Sequence, residues 1–316
     1  MPDKAPHFFL FLTLAGATPT LVLPGCGNDG AIASEGDATS GGEETNGSDA
    51  TSGGDEASGS EDCILTANTS PTSIATNDCT LLGRDTSPCM ESRMSAGLTG
   101  LWLEFSCRVT VTPTTIDGKQ HVRLQADSQP DYPSNYFPED HPCYRAYVPP
   151  EPNPNTIFPR SIVMDVPVIP DTSIQPMPPG TVGLSLNGIP LHSNRAAQGM
   201  DIYIAALSYD QCAGHPTAMD VYHYHSEPYS ISYDDANFIG VMRDGYAVYG
   251  RRDPDGSIPT LDDVGGHTGP TLHSASPVYH YHVNLQTSSS PDSMGQTHWF
   301  ITKGIYYGSP GPCTGC

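Results

Sequence analysis

Positive charge is scarce in this chain. Its 316 residues include 13 Lys and Arg against 35 Asp and Glu, for a formal net charge of -22. Nucleic acids and anionic membrane surfaces are held through basic patches, so neither is expected as a partner. No long helical period runs through the sequence, which argues against a helix-rich fold. Catalytic signatures are missing too. The chain has no G-x-S-x-G elbow, no Walker loop and no G-x-G-x-x-G after a strand, so acyl-transfer, nucleotide and dinucleotide chemistry lack motif support.

Near the start, Phe8-Phe9-Leu10-Phe11-Leu12-Thr13-Leu14-Ala15 follows a head containing Lys4. That run has the length of a signal peptide, not of a membrane span. Leu23-Pro24-Gly25-Cys26 resembles a bacterial lipobox, so residues 1–25 are expected to be a lipoprotein-type signal peptide and Cys26 the acylated residue. Pro24 is unusual there, which leaves ordinary cleavage with a free Cys26 as the alternative. Gly27 follows Cys26 in place of the aspartate that would suggest inner-membrane retention. The protein is therefore expected in the bacterial cell envelope as an outer-membrane lipoprotein, touching the membrane through its anchor only. Residues 26–62 are mostly Gly, Ser, Thr, Asp and Glu, with no Lys or Arg. Too few apolar groups offset the entropy of ordering, so this segment is expected to be a disordered acidic tether.

From Cys63 onward the pattern changes to that of a folded domain. Strands are expected at Leu101–Val111, Ile162–Ile169, Val182–Leu186, Ile202–Leu207, Phe238–Val241, Tyr246–Tyr249, Val278–Leu285 and His298–Tyr307. Asp244-Gly245 reads as a type I′ hairpin turn. Asp253-Pro254-Asp255-Gly256 reads as a further turn, resembling a fragment of a calcium loop without its remaining ligands. Residues 63–316 are expected to form one all-β, sandwich-like domain. The chain has nine cysteines, and eight remain once Cys26 is set aside, an even number in an exported protein, so disulfides are expected. A redox or zinc role for Cys313 and Cys316 is the weaker alternative, since no helix is predicted there to lower a thiol pKa.

One stretch occurs twice: Val221-Tyr222-His223-Tyr224-His225 and Val278-Tyr279-His280-Tyr281-His282. Upstream of the copies lie Asp210-Gln211-Cys212-Ala213-Gly214-His215 and Asp262-Asp263-Val264-Gly265-Gly266-His267. Side chains alternate along a strand, so each copy places two imidazoles on one face and two phenols on the other. His215, His223 and His225, and again His267, His280 and His282, are candidate ligands for copper or zinc, because neutral imidazoles on one face can converge on one ion. Asp210 and Asp263 are candidates for orienting an imidazole through its second nitrogen. His192, His273 and His298 are spare candidates. The tyrosines are expected in the core. The two copies are expected to face one shared cleft.

The doubled motif resembles the bacterial YHYH-domain proteins. Leu186-Asn187-Gly188-Ile189-Pro190 is similar to that family's L-N-G-V-P segment, and Arg243-Asp244-Gly245-Tyr246-Ala247-Val248-Tyr249-Gly250 to its D-G-(F/Y)-P-I-Y-G segment. The similarity extends over residues 100–310 and implies kinship, not an activity. Where the family commonly has cysteines, this chain has Ser230, Val264 and Ile305, which implies a different disulfide framework. Three functions follow: a surface lipoprotein that binds copper or zinc, a metalloenzyme with an open metal position, or a metal-free structural or interaction module whose histidines form a buried hydrogen-bonded network.

Overall fold

The computed structural model describes residues 71–76, 79–197 and 200–316. The segments expected to be a signal peptide and an acidic tether, with Cys26 and Cys63, lie outside the described residues. The described part is all-β, with α-helices only at Ser87–Ser95 and Ile202–Ala205 among those residues.

One eight-stranded sheet organises the domain. Its strands are β1 (Thr181–Ser185), β2 (Pro190–His192), β3 (Gly214–Pro216), β4 (Tyr222–Tyr224), β5 (Phe238–Met242), β6 (Ala247–Tyr249), β7 (Gly266–Thr271) and β8 (Ser274–His282). They lie in the order β7-β8-β6-β5-β1-β2-β4-β3. Read outward from the central β5–β1 pair, each half repeats one topology. An antiparallel hairpin (β1–β2, β5–β6) is followed by a parallel contact to the Tyr-His-Tyr-His strand (β2–β4, β6–β8) and an antiparallel Gly-His strand at the edge (β4–β3, β8–β7). Because β5 and β1 pair antiparallel, the halves are related by an approximate twofold axis through the middle of the sheet. The sequence duplication is thus a structural one.

Both faces are covered. Over the centre of one face lies a four-stranded sheet of Thr110–Ile116, Lys119–Ala126, Ile162–Pro167 and Cys313–Thr314. Its Val122, Leu124, Met164 and Val166 pack with Leu184, Val241 and Tyr249 of the large sheet. On the opposite face, Tyr222, Tyr224 and Tyr281 join Val182, Leu191, Val248 and Tyr306 in a second core. The tyrosines are core residues, as the alternation predicts, except that Tyr279 is only partly buried.

Several local expectations are corrected. Ile202–Leu207 is helical: Asp201 caps the turn by accepting from the Tyr203 N–H at 2.9 Å, and the cap outweighs β-propensity. Leu101–Val111 does not extend as one strand; Gly100–Leu103 is a 3₁₀ turn and the strand begins at Thr110. Buried Arg93 takes the carbonyls of Phe105, Ser106 and Val109 as acceptors, which withdraws them from any ladder. At Asp244-Gly245 the chain does turn, but only Gly245 lies in the left-handed region, at φ 95°, so the turn is not type I′.

Disulfides join Cys79 to Cys212, Cys89 to Cys107 and Cys313 to Cys316, and Cys143 is disulfide-bonded as well. Val264 and Ile305 pack in the tyrosine-lined core where the resemblance implied cysteines.

Candidate metal centres

Each motif is shaped by its Gly-His strand. Tyr224 stands opposite Gly214 and Tyr281 opposite Gly266. A Cβ on Gly214 would lie 2.2 Å from the Tyr222 hydroxyl, and one on Gly266 would lie 2.6 Å from the Tyr279 hydroxyl. Only glycine lets the phenol cross there. The same register puts His215 beside His223 and His267 beside His280.

In the second half of the sheet, His280 Nδ1 donates to Val278 O at 2.9 Å and His282 Nδ1 to Gly250 O at 2.7 Å. A carbonyl only accepts, so both Nδ1 atoms carry hydrogen and, in the neutral rings, both Nε2 atoms present lone pairs. His267 Nε2 lies 3.1 Å from His280 Nε2 and 3.3 Å from His282 Nε2. Asp253 Oδ1 completes the group, 3.1 Å from His267 Nε2, 3.6 Å from His280 Nε2 and 3.4 Å from His282 Nε2. Sequence reasoning took Asp253 only as a turn residue. It does close that turn through its carbonyl, and its carboxylate meanwhile reaches the histidines.

The first half repeats the device with other residues. His223 Nδ1 donates to Val221 O at 3.1 Å and His225 Nδ1 to Ser193 O at 2.5 Å, while their Nε2 atoms face each other at 3.0 Å. With both Nδ1 atoms committed as donors, neutral rings leave no proton between these two lone pairs. His192, a spare candidate in the sequence, is the third member; its ring stacks on that of His223 at 3.8 Å. His215 lies alongside, its ring centroid 4.5 Å from that of His223; its Nδ1 donates at 2.7 Å to the Ser208 hydroxyl, which itself donates to Ala205 O, and it stands outside the converging set.

Burial keeps these imidazoles uncharged. It holds His192, His215 and His223 well below the usual imidazole value, with neighbouring histidines adding to the effect. His225 and His282 are lowered to about 4, also by burial first, and His280 is lowered for the same reason. Neutral imidazole is the form that ligates metal.

The aspartates are corrected. Asp210 belongs to the tyrosine face: it accepts from the Tyr222 hydroxyl at 2.6 Å, the Ser134 hydroxyl at 2.5 Å, and the N–H groups of Cys212 and Gly214. Its counterpart is Asp262, which accepts from the Tyr279 hydroxyl at 3.1 Å and the N–H groups of Val264, Gly265 and Gly266; Asp263 is exposed. Each aspartate ties down the loop before a Gly-His strand, and backbone carbonyls orient the imidazoles of the two motifs instead. Of the other spare candidates, His273 bonds Tyr249 and Glu104, and His298 is in neither group.

The ligand atoms form two groups, not one set shared by His223, His225, His280 and His282. Four strands separate β4 from β8, because the twofold relation sends the Tyr-His-Tyr-His strands to opposite wings of the sheet. Beyond the histidines the chains converge again, with Ser226 and Asn284 both paired to Phe300, yet the ligand atoms form two separate groups.

Residues 164–259 match the family described as YHYH protein. The match contains the first Tyr-His-Tyr-His copy and ends before the second. No curated protein and no solved structure matches the chain.

Proposed function

We propose that this chain, whose residues 164–259 match the YHYH protein family, binds one transition-metal ion, zinc or copper, in each of its two histidine groups, as an exported lipoprotein. One observation carries this reading: in the first group His223 and His225, each with Nδ1 already donating to a carbonyl, face one another through Nε2 at 3.0 Å, and in the second His280 and His282, committed in the same way, present Nε2 to a group that also holds His267 Nε2 and Asp253 Oδ1. Facing lone pairs repel, and a cation between them converts the repulsion into ligation. In the first group the buried-network alternative is disfavoured on the same ground, since a hydrogen-bonded network needs a proton in the His223–His225 gap.

The chemistry of the donors sets the metal class. Imidazole nitrogens with one carboxylate suit zinc or copper and lack the many oxygens that calcium or magnesium requires. The anchor part of the proposal rests on the sequence around Cys26. Cys26→Ser is expected to move the protein from the membrane to the soluble fraction, and full retention on membranes would refute the anchor.

Elemental analysis of the purified protein tests metal binding. About two equivalents are expected after loading with zinc or copper. His223→Ala with His225→Ala should remove one equivalent, and His280→Ala with His282→Ala the other. A protein that takes up neither metal would leave a structural module as the remaining function.

A further inference from the structure

The two groups are not copies of each other. Ser193 and Gly250 are equivalent, since the carbonyl of each accepts from the second histidine of its own motif. Counting from there, His192 stands where the second half has Tyr249, and Ala196 stands where it has Asp253. The second group therefore offers three imidazoles and a carboxylate, and the first offers three imidazoles alone.

Charge makes the difference consequential. A divalent cation in the second group is partly neutralised by Asp253 and has four ligands, enough for the tetrahedral coordination zinc prefers. In the first group the ion keeps its full charge among buried neutral rings, where an uncompensated charge is costly. An anion as fourth ligand would relieve that cost. Buried hydroxyls lie among the residues that pack around these rings. The Tyr209 ring lies against those of His215 and His225, at 4.9 and 6.4 Å. Its hydroxyl is buried with no partner of acceptable geometry, although the equally unpaired Ser226 hydroxyl is its neighbour. The Ser193 hydroxyl, next along the chain from His192, is likewise buried and unpaired. Buried hydroxyls without partners are rare in folded proteins, and each leaves a donor for a bound group.

Resting on the metal-binding reading above, we infer that the ion of the first group keeps its fourth position for a small inorganic anion, hydroxide or an analogue such as azide, while Asp253 closes the second. The first group is thus the reactive centre of the pair, and Tyr209 donates to the bound anion.

Cobalt(II) as the metal and azide as the anion provide the test, on the full chain. With both groups loaded, azide should shift the visible bands of about half the cobalt. The response should vanish in His223→Ala and persist in His280→Ala. Tyr209→Phe removes one hydroxyl and leaves every ligand histidine in place, so that variant should keep its cobalt and bind azide about tenfold more weakly, the loss of one hydrogen bond to a charged group. Cobalt bound without any azide response would overturn the open position and leave metal binding intact, as would a response that survives His223→Ala and disappears in His280→Ala. Unchanged azide affinity in Tyr209→Phe would overturn the role of the hydroxyl. No cobalt uptake would overturn both proposals.

Discussion

The proposed ion of the second group has one definite place among its ligand atoms, which makes its coordination shell a quantitative prediction. Five of the six separations among the three Nε2 atoms and Asp253 Oδ1 run from 3.1 to 3.6 Å, averaging about 3.3 Å. A regular tetrahedron with that edge has its centre roughly 2.0 Å from each vertex, which is the length of a zinc bond to imidazole nitrogen or carboxylate oxygen. To isolate this group, His223→Ala would remove the first one, and X-ray absorption at the zinc edge would then read a single centre. We expect one shell of four nitrogen or oxygen atoms at about 2.0 Å, outer-shell scattering from three imidazoles, and no sulfur at about 2.3 Å. Adding Asp253→Ala should keep the three imidazoles and lower zinc affinity. The loss should exceed the roughly 10–100-fold typical of a partner that only touches a ligand, because Asp253 is itself a ligand and the site's only anion. Six oxygen-type neighbours, a sulfur shell, or an affinity indifferent to Asp253 would each refute the assignment.

Three further outcomes follow from the fold. The Cys79–Cys212 bridge spans 133 residues and Cys89–Cys107 spans 18, so chain entropy assigns them about 5 and about 3 kcal/mol; urea unfolding should show the larger loss for the Cys79→Ala, Cys212→Ala pair, and the reverse order would refute the entropic account. Tyr281→Phe deprives buried Asp244 of a hydroxyl at 2.5 Å, at a cost of about 1–3 kcal/mol. Burial raises Asp244 to about 6 in spite of that bond. A carboxyl raised on folding contributes stability that is full below its unfolded pKa and lost as pH rises through the folded one, so the variant should lose more at about pH 8 than at about pH 5, and an equal loss at both would contradict the assignment. In metal-free protein, imidazole resonances of His225 and His282 should titrate near 4. The unfolded chain holds the extra protons between that value and about 6.5, so these two histidines subtract stability as pH falls across that window; midpoints near 6.5 would show the rings to be solvated.

The alternation of Tyr-His-Tyr-His was enough to place His223 and His225 on one face and Tyr222 and Tyr224 on the other, since a strand has a period of two whatever surrounds it. Composition and spacing likewise carried the all-β class, the disulfides and the existence of two modules. Other features depended on strand order, which one chain's sequence does not encode locally. His192 enters the first group because β2 runs parallel beside β4, and Asp253 enters the second because the loop after β6 folds back over β8. Asp262, not Asp263, matches Asp210, as the loop hydrogen bonds make plain. Two separate groups arise, in place of one shared set, from the antiparallel pairing of β1 with β5. That contact joins the modules through strands that carry none of these histidines, so the twofold axis repeats each group on its own side of the pair.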